Sequence, residues 1–187
     1  MSYIGSKRSS SLVSFDEGTI GDNVKFPDGC FIGVAFLADV NDGYAGASST
    51  SYTIRSLNTV KYSVNLPVSI ASNEFTFDEA GSYLIQASAP AFKSERHILR
   101  LSEDGGSTFI SSGSAAYSGS SNNVITSSYL FAKLTITDAQ NSGGVSERSF
   151  SFFTIVDTAK ATDGLGNGNN DVSDEEVLQV QLFRIVE

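Results

Sequence analysis

His97 is the single imidazole of the chain and Cys30 its single thiol, so acid–base and nucleophilic chemistry have few places to start. A Ser-His-Asp hydrolase needs a base turned toward its nucleophile by a third group. His97 stands between Arg96 and Ile98-Leu99 in text that reads as a strand, and no serine sits in a Gly-x-Ser-x-Gly elbow. A structural histidine is the expectation. Cys30 alone can build neither an intrachain disulfide nor a multi-thiolate zinc site, which suits synthesis in a reducing cytoplasm. Asp and Glu together number 21, but abundance does not set two carboxylates face to face as a glycosidase requires. The chain is therefore expected not to be an enzyme.

The most specific polar text runs from Asp163 to Glu176. In a calcium-loop frame that starts at Asp163, Asn167, Asp171 and Asp174 take the fifth, ninth and twelfth places, and Gly168 the sixth. Against that frame, Leu165 stands at the third place, where an oxygen ligand belongs. Asp174 replaces the usual Glu, and no helical pattern flanks the loop. A solvated turn without a cofactor is the expectation, with calcium on Asp163, Asn167, Asp171 and Asp174 as its alternative. Gly105-Gly106 reads as a hairpin turn, since neither a helix nor a Lys follows as a phosphate cradle needs. Tyr3, Tyr44, Tyr52, Tyr62, Tyr83, Tyr117 and Tyr129 are the remaining candidates. Aromatic faces can stack on sugars, although packing in a core or an interface is the expected use of most of them.

The formal net charge of −9 argues against a nucleic-acid partner, because phosphate binding needs clustered Lys and Arg. No apolar run approaches the roughly 20 residues of a membrane-spanning helix, and Met1 to Leu12 lacks the apolar stretch of a signal peptide. A soluble protein without a membrane partner is expected. With 40% hydrophobic and 18% charged residues the chain has the composition of a folded domain. Its 187 residues suit one domain with a tail.

The elements that must carry these residues are strands. Met1 to Ser14 is Ser-rich with few apolar residues and reads as an extended arm. Phe15 to Gly33 has glycine or proline every few residues, which fits short extended pieces. Phe31 to Val40 is the first strand, closed by the turn signal Asn41-Asp42-Gly43. Further β-rich runs are Thr50 to Arg55, Thr59 to Val68, Glu74 to Phe77, Ser82 to Phe92, Arg96 to Leu101, Thr108 to Tyr117, Val124 to Thr137, Arg148 to Val156 and Val177 to Val186. Roughly ten strands in one domain imply a sandwich or a closed barrel. Tyr83, Ile85, Ala87 and Ala89 share one face of their strand, as in a half-buried strand. In Arg148 to Val156, Phe150 and Phe152 point one way and Phe153 and Ile155 the other. A strand apolar on both faces needs cover on both, for which oligomerisation is the simplest source.

Two stretches carry a family resemblance. Arg55-Ser56-Leu57-Asn58-Thr59, the run Phe75-Thr76-Phe77-Asp78-Glu79-Ala80-Gly81-Ser82-Tyr83 through Phe92, then Arg96-His97 and Arg100-Leu101, resemble the jelly-roll heads of phage and marine-virus structural proteins similar to the complement C1q and tumour-necrosis-factor family. Gly18-Thr19-Ile20-Gly21 with Val24, Phe26-Pro27 and Gly29 resembles the linker before the heads of phage tail-fibre proteins. The resemblance divides the chain into residues 1–45, an extended N-terminal arm with the first strand used for virion attachment, and residues 46–187, a C1q/TNF-like jelly-roll head. It implies a homotrimer with aromatic strand residues around a threefold axis, where this reading places Tyr83, Phe150, Phe152 and Phe183.

The function so implied is that of a virion structural surface protein of a phage, synthesised in the host cytoplasm. It would be a tail-fibre-like or head-decoration protein whose arm docks on capsid, portal or tail. The alternative is an attachment spike that binds a host surface glycan or protein. A polysaccharide-cleaving spike is the third reading.

Overall fold

The alternation in the sequence becomes twelve β-strands in the computed structural model, which describes residues 29–41, 45–103, 105–121, 123–137, 148–166 and 175–186. The strands are β1 (Phe31–Asn41), β2 (Thr53–Ile54), β3 (Thr59–Val64), β4 (Val68–Ala71), β5 (Glu74–Phe77), β6 (Gly81–Phe92), β7 (Glu95–Glu103), β8 (Thr108–Ser112), β9 (Ala116–Ser118), β10 (Ile125–Ile136), β11 (Phe150–Val156) and β12 (Glu175–Ile185). They form two antiparallel sheets, and the described residues contain no helix. One sheet has five strands in the order β10-β6-β12-β1-β3. The other has seven: β4-β5-β11-β7-β8, with β2 added beside β11 and β9 beside β7. The fold is an all-β jelly-roll sandwich.

Each sheet turns one apolar face inward. From the five-stranded sheet come Tyr83, Ile85, Ala87 and Ala89 of β6 with Leu130 and Leu134 of β10; from the other come Phe75, Phe77, Leu99, Leu101, Phe150 and Phe152. The aromatic rings meet at the centre: Phe77 stacks on Tyr83 at 3.9 Å between centroids, and Phe75 lies 5.6 Å from Phe150. Each fully buried large apolar side chain contributes roughly 1.5–3 kcal/mol, so this layer is what holds the sheets together.

Two of the expected strands are broken for local reasons. Thr59 to Val68 divides into β3 and β4 because Asn65 adopts a left-handed conformation, φ 51°. Thr108 to Tyr117 divides into β8 and β9 at Gly113, whose backbone lies so close to β10 that a Cβ would stand 2.5 Å from the Tyr129 carbonyl oxygen. The β4–β5 hairpin turns on Ser72 and Asn73, both at positive φ, as a two-residue turn between twisted strands requires.

Phe31–Asn41, grouped by the sequence with the arm, pairs with β12 on one side and β3 on the other. Residues 1–28, and with them the arm, lie outside the described residues.

Candidate functional site

The residues expected at a threefold axis are distributed otherwise. Tyr83, Phe150 and Phe152 are fully buried between the two sheets of their own chain, so no surface of theirs remains for a partner. That corrects their assignment as interface residues: alternation identifies which residues share a face, not what covers it. The second apolar face of β11 is also covered from within. Phe153 is packed by Phe109 edge-on at 5.7 Å, and β2 lies alongside it. Of the four residues, Phe183 alone stands on the outer side, half-buried, with its ring 5.0 Å from that of Phe31.

The open apolar surface is the outer face of the five-stranded sheet. Of the twelve large apolar residues exposed among the described residues, eight belong to its strands: Phe31, Phe36, Val60, Tyr62, Val64, Ile125, Tyr129 and Phe131. Register places Tyr62, Phe36, Gln181, Gln86 and Phe131 in one row across all five strands. Tyr62 and Phe36 form one aromatic pair, 6.2 Å between centroids, at the β3 side. Tyr129 and Phe131, 64% and 59% exposed, stand two residues apart on β10 at the opposite side. Between them runs a polar strip of Gln86, Gln179 and Gln181. A groove of about 520 Å³ separates the strip from Tyr129 and Phe131, and one of about 310 Å³ separates it from Phe36 and Tyr62.

The two edges of this sheet differ. On β10, the Tyr129 carbonyl accepts from the Ser114 backbone N–H at 2.8 Å, so the β8–β9 turn closes that edge. On β3, five of the six residues are exposed. Two aromatic patches on either side of a polar strip exceed what scattered surface residues provide and mark an interaction surface.

The Arg55-Ser56-Leu57-Asn58 text proves to be a tie between elements. Arg55 is buried, and its Nη1 donates to the carbonyls of Leu165 at 2.7 Å and Pro90 at 3.2 Å. Burial lowers its pKa to about 10, with the charge of Asp39 acting in the opposite direction. Burial raises the pKa of Asp39, while Arg55 and the Asn41 amide pull it down. The Asn58 amide donates to Asp39 Oδ1 at 2.9 Å and to the Val40 carbonyl at 3.0 Å, and its Oδ1 accepts from the Val40 N–H.

His97 is buried, and its Nδ1 lies 3.4 Å from the Glu95 carbonyl. Burial lowers its pKa, and the charge of Arg55 does the same. A ring so enclosed is a core residue.

Of the calcium frame, Asp163 alone is described; Asn167, Asp171 and Asp174 lie outside the described residues. Asp163 is 3.9 Å from Lys160 Nζ. Leu165 is buried as a plug, and the Gly164 carbonyl accepts from Phe92 N–H and Ser94 Oγ, so this end of the loop is tied into the sandwich. Among the described residues no three His, Cys, Asp or Glu side chains converge as metal ligands. Cys30 is a free, partly exposed thiol. Among the described residues no helix is long and apolar enough to cross a membrane.

No family model matches the sequence, and no curated protein matches it. Solved structures do resemble the fold. Murine APRIL at pH 5.0 superposes with a TM-score of 0.53 at 11% identity, over 81% of this chain and 98% of that one. Murine APRIL at pH 8.0 gives 0.52 at 10% identity over the same shares. The sandwich is a TNF-like jelly roll. PRD1 vertex protein P5 is a more distant likeness, TM-score 0.49 at 14% identity, over 84% of this chain and 99% of that one.

The sequence missed the true open face. Its signal was present in β10, where Tyr129 and Phe131 alternate with buried Leu130 and Ala132. Reading it required knowing that the other side of β10 already had a core to face.

Proposed function

We propose that the chain is a trimer-forming structural protein of a virus-particle surface, a tail-fibre-like or head-decoration protein of a phage, and not an enzyme. The observation that carries the trimer is the outer face of the five-stranded sheet, with distinct aromatic patches at its two sides and glutamines between.

A twofold, face-to-face pairing of this sheet would press two glutamine strips together in a dry interface. Burying those amides costs free energy unless the facing strips satisfy every donor and acceptor on both sides. A threefold, head-to-tail arrangement sets Tyr129 and Phe131 of one copy against Phe36 and Tyr62 of the next. The glutamines then face a shared axis, where water satisfies them, and the ring closes. The virion assignment is supported by the resemblance of Phe75 to Phe92 and of Gly18 to Gly29 to phage structural heads and their linkers. The N-terminal arm, Met1 to Ser14, serves to dock the head on capsid, portal or tail.

Sedimentation or light scattering at micromolar concentration is expected to give three copies, and a monomer would overturn the trimer. Electron microscopy of intact particles is expected to place the protein on the capsid or tail. Its absence from particles would overturn the virion reading while leaving the trimer intact. Deleting Met1 to Ser14 should leave the head folded and lower its incorporation.

A further inference from the structure

We propose that the outer face of the seven-stranded sheet carries a binding site for an acidic sugar, built on Tyr52, Arg100 and Phe109. The Arg100 guanidinium stacks over the Phe109 ring at 4.1 Å and lies 5.3 Å from the centre of Tyr52. Its Nε donates to Ser112 Oγ at 3.0 Å, and its Nη1 donates to the Tyr52 hydroxyl. No carboxylate pairs with it among the described residues, and its Nη2 has no protein partner there. Lys61, Arg96, Arg148, Lys160 and Arg184 each pair with a carboxylate, whereas Arg100 is held by two rings instead. A guanidinium fixed in this way loses little freedom when a carboxylate arrives, and its planar fork matches one.

The ground beside it suits a sugar ring. Tyr52 is 44% exposed, offering an aromatic surface for the apolar face of a pyranose. Arg100 pairs with Phe153 on β11, and one same-face step along β7 brings Ile98, which pairs with Ile155. These isoleucines line a groove of about 490 Å³ with Thr50 and Ala115, closed by the Arg96–Asp157 ion pair. Thr50 in the groove and Ser112 beside Arg100 put hydroxyls around the site. An acidic peptide is a poorer fit, because β7 is paired with β11 on one edge and with β8 and β9 on the other, leaving no strand edge to extend.

The site lies on the opposite side of the sandwich from the face assigned to self-association, so the two readings stand or fall separately. The test is NMR titration of the full chain with methyl β-glucuronide, methyl β-glucoside and glutarate. Glucuronide is expected to bind in the millimolar range and to shift the Tyr52 ring, the Arg100 side chain and the Ile98 amide. Arg100→Lys should weaken it about tenfold, because an ammonium neither stacks nor forks as a guanidinium does. Tyr52→Ala should weaken it comparably, and it remains informative if Arg100→Lys fails to fold, since Tyr52 lies outside the strands. Equal binding of the uncharged glucoside, equal shifts with glutarate, or shifts that avoid these residues would each overturn the proposal.

Discussion

At the scale of single residues, Arg55 shows how a polar group becomes structural when buried. Its guanidinium joins the β6 carbonyl of Pro90 to the Leu165 carbonyl, with Asp39 as the nearby charge. Replacing it by Ala would leave those carbonyls and Asp39 without their cation. Arg55→Ala is expected to cost about 3–5 kcal/mol, read from urea denaturation. His97 makes a pH prediction. Its folded pKa lies below its ordinary 6.5, so below that pH the unfolded chain takes a proton that the folded one refuses. Stability should therefore fall as pH drops from 6.5 toward the lowered folded value. Asp39, raised above 3.8, acts in the opposite sense at lower pH, where the folded state protonates first. Urea midpoints at about pH 7.5 and about pH 5.5 should differ in the native chain and differ less in His97→Phe. The sequence marked Arg55 and His97 within one resemblance, and a structural His97 was legible from its apolar neighbours. The burial of Arg55 was not, because its partners Pro90 and Leu165 are 35 and 110 residues away.

At the scale of elements, period-two alternation made the strands legible, and tertiary contacts made the breaks between them illegible. β6 presents Tyr83, Ile85, Ala87 and Ala89 inward as its sequence pattern demands. Nothing in Thr108 to Tyr117 announces that Gly113 must let β10 come near. Gly113→Ala would force its new Cβ against the Tyr129 carbonyl, a backbone atom that cannot rotate away. A loss of roughly 1–3 kcal/mol is expected, measured by thermal denaturation. The two-sided apolar pattern of β11 led the sequence reading toward a partner chain. Phe109 on β8 packs over Phe153 and supplies that cover instead, a contact between non-adjacent strands that a pattern search cannot assign.

At the scale of the whole molecule, the question is which apolar surface a second copy needs, and two substitutions of the same chemistry separate the answers. Phe152 is fully buried in the inter-sheet core, while Phe131 is mostly exposed on the open face. A carboxylate at 152 would be a buried, unpaired charge, which a single domain does not survive. A carboxylate at 131 meets water in the isolated chain and should change its intrinsic stability by no more than about 0.5 kcal/mol. In the proposed trimer, threefold symmetry repeats that charge at each contact between copies, where Phe36 and Tyr62 offer it no counter-ion. Phe131→Asp is therefore expected to give a folded monomer, with native circular dichroism and one third of the native mass by light scattering. Phe152→Asp is expected to give little folded protein of any mass. A trimeric Phe131→Asp variant would show that the five-stranded sheet is not the face that binds the next copy.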